Sequence, residues 1–353
     1  MSEKLDSDVF DVIVIGGGVA GLSGALTLSR ARRSVLVLDA GEPRNAPAAA
    51  AHGLLSRDGV APLELLRAGR GEVSLYGGQI LADRATGALR VDGDFVVSTA
   101  GGKTFRSRRL LVTTGLVDEL PQVPGLRERW GRDVLHCPYC HGWEVRDTPI
   151  GVLGTSAASV HQALLFRQWS SQVTLFLHTG PEPEEVQWER LAARRIEVVQ
   201  GEVTDLKILD DKLDGVGLAS GLVVPVQSLV VAPRFVAQGE VLAGLGVSLA
   251  SHPMGVGTYV STDPTGATDV AGVWAAGNVA DVMAGLAQAQ AGGVTAAAAI
   301  NGDLVNADAD EAVARRRVAP SAAAFSAESG AQVCERVLGE RRHGLDALPP
   351  DAE

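Results

Sequence analysis

The sequence predicts an α/β protein of two three-layer domains, the second inserted in the first and each extended by a small β-sheet. Two stretches, residues 9–39 and 149–177, each contain a short apolar strand, a turn of small residues, a helix and a second strand. Such βαβ units form parallel sheets covered by helices. A late strand and small-residue helix, which begin in "DVAGVWAAGNVAD", return the chain to the first domain. We therefore expect a discontinuous outer domain around a continuous inner one.

The expected boundaries follow the breaks in this pattern. Pro121 and Pro124 interrupt the chain after the apolar strand in "RRLLVTTG", and a strand near "VVAPRF" ends the inserted unit. Beyond about residue 303 the chain has a helical pattern, in which Cys334 is interpreted as a stray thiol. The predicted parts are an outer domain of residues 1–118 and 236–302, an inner domain of residues 119–235, and a C-terminal tail of residues 303–353.

The first βαβ unit carries a glycine pattern typical of dinucleotide binding. A strand at residues 12–15 leads into G-x-G-x-x-G, formed by Gly16, Gly18 and Gly21. Gly16 permits a tight turn, Gly18 lets the backbone approach a pyrophosphate, and Gly21 lets helix and strand pack closely. Asp39 ends the second strand, where it can accept hydrogen bonds from a ribose. The unit therefore predicts a Rossmann-like dinucleotide site.

Two of the three cysteines lie in "HCPYCHGWEV", where two residues separate Cys137 from Cys140. With His141 the stretch has the spacing of c-type haem attachment, and with His136 added it offers four zinc-type ligands. The same spacing is typical of a dithiol that opens and closes as a disulfide. Three cysteines are too few for a framework of structural disulfides. A closely spaced pair therefore indicates a catalytic or metal-binding role. The residues alone leave the three alternatives open.

Composition narrows the classes of function. The formal net charge is −11 and no lysine- or arginine-rich stripe stands out, so nucleic acid is not an expected partner. The first residues lack the basic-then-apolar order of a secretory signal, and no apolar run is long enough to span a bilayer. We therefore expect a cytoplasmic protein with no membrane partner, which disfavours a haem attached after export.

The order of these parts resembles the low-molecular-weight thioredoxin reductase family. Three features carry the resemblance across residues 9–302: "GGGVAGLSGA" with Asp39, "CPYCHG" at the start of the inner domain, and "GVWAAGNVAD", which is close to the family's final flavin motif. The resemblance implies FAD in the outer domain, a nicotinamide-type inner domain and a homodimer. It also implies that Cys137 and Cys140 form a redox pair beside the flavin, with no metal at the site.

The resemblance assigns roles to the residues around the pair. Cys140 would lie nearest the flavin, and Cys137 would exchange with the substrate. His141 occupies the position where the reductases carry an acid–base aspartate. A histidine titrates near neutral pH, so it can take protons from incoming thiols. His136 is a second candidate base, for which an ordinary packed histidine is the alternative.

The same resemblance places further residues beside the flavin. Asn278 replaces the aspartate usual after the glycine of the final flavin motif, and asparagine can still accept a hydrogen bond from the ribityl chain. The remaining cofactor-binding candidates, besides the three glycines and Asp39, are Arg44, Asn45, His52, Thr114, Gly115 and Gly277.

The inner domain departs from the pattern that NADPH requires. Where the reductases carry a second G-x-G-x-x-G/A, this chain has Gly154, Ser156 and Ser159, which puts a side chain where backbone should approach a pyrophosphate. The next strand ends in a histidine, but Thr179 and Gly180 replace the two arginines that hold the 2′-phosphate of NADPH, and glutamates follow. We expect this domain not to bind NADPH productively, and unusual NADPH binding is the alternative.

A flavin and a dithiol without a nicotinamide donor suggest that electrons run from the substrate to the flavin. One branch of the resembling family closes disulfides in small dithiol natural products, of the gliotoxin, holomycin and romidepsin kinds, and passes the electrons to oxygen. The stretch "CPYCHG" is closer to that branch, so we predict an FAD-dependent dithiol oxidase that uses a small dithiol and O2 and forms H2O2. The alternatives are a thioredoxin-disulfide reductase fed by NADPH or ferredoxin, with a thioredoxin-like partner, and a non-enzymatic redox sensor that holds FAD.

Overall fold

The computed structural model describes residues 9–318 and 327–339. The chain divides into two compact units, one ending at Gly302 and the other beginning at Asp303. The start of the predicted outer domain, residues 1–8, and two parts of the predicted tail, residues 319–326 and 340–353, lie outside the described residues. Of the helices that are described, none is both long and apolar enough to cross a bilayer.

Strands and helices alternate as expected of nested α/β domains. The elements up to residue 119 are β1 Val9–Ile15, α1 Val19–Arg30, β2 Val35–Asp39, α2 Pro62–Leu75, β3 Gln79–Ala82, β4 Ala85–Val91, β5 Asp94–Thr99, β6 Thr104–Val112 and β7 Leu116–Glu119. Those up to residue 237 are α3 Leu126–Arg129, β8 Val134–Leu135, α4 Pro138–His141, β9 Ile150–Leu153, α5 Ala158–Phe166, β10 Val173–Phe176, α6 Glu185–Ala193, β11 Glu197–Val199, β12 Val203–Leu209, β13 Lys212–Leu218, β14 Val223–Val224, β15 Ser228–Val230 and β16 Arg234–Ala237. The remaining ones are β17 Leu249–Ser251, β18 Gly257–Val260, β19 Val273–Ala275, α7 Leu286–Val318 and α8 Ala327–Leu338, with short 3₁₀ helices at Glu240–Leu245 and Gly277–Val279.

The first sheet contains the first predicted βαβ unit at its centre. Its strand order is β3-β2-β1-β6-β5-β4, and β19 also pairs with β6. Strands β1, β2, β3, β6 and β19 run parallel, whereas β4 and β5 form an antiparallel hairpin on one side. Ile13, Leu36 and Leu110 are fully buried in the core around this sheet. Because parallel strands are covered on both faces, such continuous apolar runs are expected.

The second sheet is wholly parallel, in the order β11-β10-β9-β15-β8, and it confirms the second predicted βαβ unit. Helix α5 ends at Phe166, three residues before the predicted end. The amides of Gln168 and Trp169 donate to carbonyl oxygens three residues back, at 3.0 and 2.9 Å, so the chain tightens into 3₁₀-type turns there. The small antiparallel sheet β12-β13-β14 extends this part of the chain.

A four-stranded sheet, in the order β17-β18-β16-β7, lies where the chain passes between the two predicted domains. Strands β7 and β16 are antiparallel, and Asp118 lies directly opposite Phe235. The predicted boundaries at residues 118 and 235 therefore fall within one ladder. The fold-class prediction, two nested α/β units with small additional sheets, is confirmed.

The unit that begins at Asp303 contains the end of α7 and the helix α8, both helical as the sequence pattern predicts. Cys334 lies on α8 with a free, exposed thiol.

Candidate active site

The two cysteines of "HCPYCHG" are joined in a disulfide. Cys137 follows β8 and Cys140 lies in the single turn of α4, with their Cα atoms 5.3 Å apart. Pro138 begins that turn, where a missing N–H costs no hydrogen bond. The amides of Cys140 and His141 donate to the carbonyl oxygen of Cys137, at 3.3 and 3.2 Å, and so close the turn. Of the three alternatives for this stretch, the structure supports the redox pair.

No metal-ligand cluster accompanies the pair. Across residues 9–318 and 327–339, no group of three or more His, Cys, Asp or Glu side chains is placed to hold a metal ion. The sulfur atoms are bonded to each other, so they are not free to act as a pair of thiolate ligands.

His141 lies beside the disulfide with its ring nitrogens buried. Neither nitrogen has a hydrogen-bond partner among the described residues. Burial lowers the pKa of His141, the carboxylate of Glu144 opposes this shift, and the charge of His52 adds to it. The imidazole is therefore neutral near pH 7 and offers an unprotonated nitrogen. This is the state that a base for a substrate thiol requires.

His136 directly precedes Cys137 in the chain and is half-buried. Its Nδ1 is 3.0 Å from the carbonyl oxygen of Val231. A carbonyl only accepts, so Nδ1 carries the proton in the neutral ring and Nε2 is left unprotonated. The ring packs edge-on against Phe235, at 5.3 Å between centroids. Burial lowers the pKa of His136, which favours this neutral form.

Arg44 connects the loop after β2 to the strands that join the two predicted domains. Two of its guanidinium nitrogens donate to the carboxylate of Asp118, both at 2.7 Å. The guanidinium also lies over the ring of Phe235, 5.2 Å from its centroid. A third nitrogen is 3.4 Å from Oδ1 of Asn278, so two predicted flavin-side residues contact each other. Asp118, which sequence reasoning missed, is the main partner.

His52 connects the same loop to the stretch after the disulfide. Its Nδ1 is 3.2 Å from Asp58 and its Nε2 is 3.4 Å from Glu144. The structure thus places this predicted cofactor residue on the side of the cysteine pair. Asn45 lies earlier in the loop, where its carbonyl oxygen accepts from the amide of Ala48 at 3.1 Å.

The first glycine turn leaves room for a ligand. Gly16 has φ of +106°, and a Cβ there would overlap the carbonyl of Thr113. A Cβ on Gly21 would overlap the carbonyl oxygen of Gly16, because helix and strand pack closely. A Cβ on Gly18 would meet nothing within 4 Å, so space is open at the start of α1. The turn therefore fits the pyrophosphate of a dinucleotide at a helix N-terminus.

Asp39 is held at the edge of this turn. Its carboxylate accepts from the amides of Gly17 and Gly41, both at 3.2 Å, and from Arg70 at 2.5 Å. Arg70 lies on α2, far along the chain, and nothing local in the sequence marks it as a partner. The contacts orient the carboxylate for the ribose contact that the glycine pattern predicts.

Thr114, Gly115 and Gly277 lie on backbone that turns at the edge of the first sheet. Thr114 donates from its hydroxyl to the carbonyl of Gln238 at 2.5 Å, and the Gln238 amide side chain donates back to the Thr114 carbonyl at 3.1 Å. Gly115 and Gly277 have φ of +74° and +72°, a conformation that favours glycine. Gln238, like Asp118, has no sequence signal that would have found it.

The corresponding turn of the second βαβ unit is closed by its own side chain. The hydroxyl of Ser159 accepts from the amides of Thr155 and Ser156, at 3.2 and 3.4 Å. The amides of Thr179 and Gly180 donate to the carbonyl of Gly154, at 3.2 and 2.8 Å. In a nucleotide-binding turn, amides at the helix start face a phosphate instead.

His178 is also engaged within the chain. It has φ of +46°, and its Nδ1 accepts from the amide of Val203 at 3.0 Å. Burial lowers the pKa of His178, and the carboxylate of Glu202 opposes the shift. An imidazole that accepts from an amide is neutral on that nitrogen, so this ring is poorly suited to bind a phosphate dianion.

An open pocket of about 680 Å³ lies at the carboxyl edge of the second sheet. Such an edge is where a nucleotide usually binds in an open α/β sheet. The residues that line it include Thr155 and His178, the carboxylates of Glu119 and Glu202, and the arginines Arg127 and Arg234. Arg234 pairs with Glu119 at 2.8 Å. The pocket has the right position for a nucleotide, and it carries two acidic and two basic side chains.

Three comparisons agree with this geometry. Thioredoxin reductase sirT from Leptosphaeria maculans is 31% identical over 317 residues, which cover 85% of this chain and 96% of that protein. The crystal structure of HlmI superposes with a TM-score of 0.82 at 46% identity, over 88% of this chain and 98% of that one. An oxidoreductase from Agrobacterium tumefaciens superposes with a TM-score of 0.79 at 37% identity, over 84% and 99%.

The family model described as pyridine nucleotide-disulphide oxidoreductase matches residues 10–297. This range includes both βαβ units, the disulfide and the late strand β19. The resemblance to thioredoxin reductases, predicted from three motifs, is confirmed. The chain belongs to the pyridine nucleotide-disulphide oxidoreductase family and is a thiol:disulfide oxidoreductase.

Proposed function

We propose that the protein is an FAD-dependent dithiol oxidase, which closes a disulfide in a small dithiol through Cys137 and Cys140 and uses O2 as the electron acceptor. The family implies the flavin cofactor. The observation that carries the finer proposal is the second βαβ turn, whose amides bind Ser159 instead of facing outward. A redox pair beside a second βαβ turn that offers NADPH no free amides supports a reaction in which the thiol substrate supplies the electrons. A cytoplasmic homodimer is part of the proposal and rests on the resemblance and the composition.

The outer domain offers the residues that would hold FAD. The open space at Gly18 fits the pyrophosphate, Asp39 the ribose, and Asn278 the ribityl chain. The chemistry that a bound flavin supplies is two-electron transfer from the enzyme dithiol to O2, which takes up two protons and becomes H2O2. All other groups in the reaction belong to the chain or the substrate.

The first exchange opens the enzyme disulfide. A substrate thiol gives its proton to neutral His141, and the thiolate attacks the Sγ of Cys137. The bond between Cys137 and Cys140 breaks, a mixed disulfide forms, and Cys140 leaves as a thiolate with the electron pair. The two ring nitrogens of His141 support this role, since neither is hydrogen-bonded to any residue that the structure describes.

The second exchange forms the disulfide within the substrate. The second substrate thiol loses its proton and attacks the substrate sulfur of the mixed disulfide, and Cys137 leaves as a thiolate. His136, with Nε2 unprotonated, is available to take this second proton. The product is a cyclic disulfide. The enzyme retains two electrons as the dithiolate of Cys137 and Cys140, and the two histidines carry the two protons that the oxygen chemistry needs.

A thioredoxin-disulfide reductase is the second candidate. The relative from Leptosphaeria maculans is named as a thioredoxin reductase, which favours it. Against it are the two amides that the Ser159 hydroxyl already binds and the neutral ring of His178. These features disfavour NADPH as the electron source for a reductase.

Oxygen consumption with dithiothreitol tests the proposal. The purified protein with FAD should consume O2 and form H2O2 in equal amount to oxidised dithiothreitol, and the Cys137→Ser variant should do neither. NADPH offered instead of the dithiol should not be consumed. If NADPH is consumed rapidly, and only when an oxidised thioredoxin is present, the reductase is correct and the oxidase is not.

A further inference from the structure

Two exposed aromatic side chains flank the redox pair. Tyr139, between the two cysteines, is 76% exposed, and Trp143, three residues after Cys140, is 65% exposed. Leu55 is 95% exposed and lies three residues after His52. His52 contacts Glu144, the residue that follows Trp143. Aromatic residues are only 4% of the chain, so two such exposed rings beside the disulfide are unusual. Tyr139 and Trp143 are only four residues apart in the chain, and neighbouring exposed apolar groups indicate a binding surface.

Both rings are held in position by neighbours within the chain. Tyr139 meets Trp169 edge-to-face, with centroids 5.9 Å apart. Trp169 in turn packs against Gly142, where a Cβ would come within 2.8 Å of its ring. The guanidinium of Arg146 lies over Trp143, 4.1 Å from its centroid. Rings held in this way lose little conformational entropy when a ligand stacks on them.

The size of the surface favours a small ligand over a protein. An aromatic side chain buries on the order of 150–250 Å². Two rings and one leucine thus supply well under the roughly 800 Å² per partner that a stable protein interface needs. Tyr139 also lies in the single turn between the two disulfide cysteines, where the proposed exchange begins.

We propose that Tyr139 and Trp143 form an aromatic platform that selects dithiols whose two thiols are carried on a flat apolar ring. This rests on the proposed oxidase function, because the platform acts by bringing the substrate thiols to Cys137. Stacking on the platform strengthens substrate binding and leaves the exchange chemistry unchanged. A flat aromatic dithiol should therefore have a lower KM than a small aliphatic one, at similar kcat.

The test compares benzene-1,2-dimethanethiol with dithiothreitol in oxygen consumption. Trp143→Ala should raise the KM for the aromatic dithiol about 10-fold, and leave the KM for dithiothreitol almost unchanged. Trp143→Phe should keep most of the preference, since it keeps a ring. Tyr76→Ala is the matched control, because Tyr76 is 47% exposed and carries Arg30 over its ring at 5.2 Å, away from the cysteine stretch in the sequence.

A binding measurement separates this inference from the oxidase proposal. Calorimetric titration with benzene-1,2-dimethanol, which cannot exchange, should show binding that Trp143→Ala weakens and Tyr76→Ala does not. Absence of this binding, or equal KM changes for both dithiols, would overturn the platform even if the protein is an oxidase. If Trp143→Ala raises the KM for reduced thioredoxin and not that for the aromatic dithiol, the surface binds a protein and the proposal is wrong. If no dithiol supports oxygen consumption but the diol still binds at Trp143, the oxidase proposal is rejected and the aromatic binding site is retained.

Discussion

The two βαβ turns share one topology and differ in what their backbone amides bind. Both follow a buried parallel strand and precede a helix. In the outer turn the space beside Gly18 is open, whereas in the inner turn the hydroxyl of Ser159 accepts from two amides. One strand order therefore accommodates two different turns, one with open space at the start of its helix and one whose amides are already bound by a side chain of the same chain.

The largest expected effect comes from breaking the outer turn. Gly16→Val combines a left-handed φ of +106° with overlap on the carbonyl of Thr113. We expect loss of bound flavin together with loss of much of the folded protein. Gly18→Ala, whose added Cβ meets open space, should keep the fold and lower only the flavin content. The ratio of flavin to protein absorbance and the circular dichroism spectrum measure both effects.

The opposite behaviour of these two variants would contradict the difference between the outer and inner turns. If Gly18→Ala unfolds the protein while Gly16→Val keeps its flavin, then the outer turn is not the flavin site that its geometry indicates.

The next largest effect is expected at His141, beside the redox pair. His141→Ala should slow dithiol oxidation about 100- to 10,000-fold, the usual range for loss of a general base. Burial lowers the pKa of His141, so the base is lost only when the pH falls below that lowered value. The acid limb of the rate profile should therefore lie below the ordinary histidine pKa of about 6.5.

The profile of the variant is the second measurement. In His141→Ala the limb should disappear, and the rate should rise steadily towards the pKa of the substrate thiols. His161→Ala, an exposed histidine on α5, is the control and should keep the native profile. An unchanged rate in His141→Ala would show that this ring only packs.

A smaller effect is expected at the connection between the two predicted domains. The Asp118 side chain is 6% exposed and that of Arg44 31%, so their pair is only partly screened by water. Arg44→Met leaves a buried carboxylate without its partner and should reduce the free energy of unfolding by about 2 kcal/mol. Arg84→Met, which breaks an exposed pair with Glu42, should change it little. Urea unfolding of both variants compares them, and equal changes would contradict this account of Arg44.

The smallest effect is expected from opening the inner turn. Ser159→Ala frees two amides, Ser156→Gly clears the pyrophosphate path, and arginines at positions 179 and 180 restore the phosphate ligands. NADPH consumption should rise only a few-fold, because a Cβ on Gly180 would lie about 3.0 Å from the Gly154 carbonyl carbon and the acidic residues remain. A gain to the rate seen with dithiols would show that these residues alone had excluded NADPH.

Local spacing in the sequence was enough to predict the two βαβ units, the first glycine turn and the cysteine pair. Each of these depends on residues close together in the chain, such as Gly16 with Gly21 or Cys137 with Cys140. The contacts of Arg44 with Asp118, Asp39 with Arg70 and Thr114 with Gln238 join residues far apart.

These distant contacts could not be predicted because no spacing rule connects such pairs. The closure of the inner turn is different. The sequence shows serines where the family pattern has glycines, but the hydrogen bonds from two amides to Ser159 could be seen only in the folded backbone.

In the proposed oxidase, electrons enter from a dithiol and not from NADPH. Anaerobic stopped-flow mixing of the yellow protein with dithiothreitol, and separately with NADPH, tests it most directly. We predict rapid bleaching of the flavin absorbance by dithiothreitol, none of comparable rate by NADPH, and loss of the dithiol reaction in Cys137→Ser. Bleaching by stoichiometric NADPH within milliseconds, retained in Cys137→Ser, would contradict the claim.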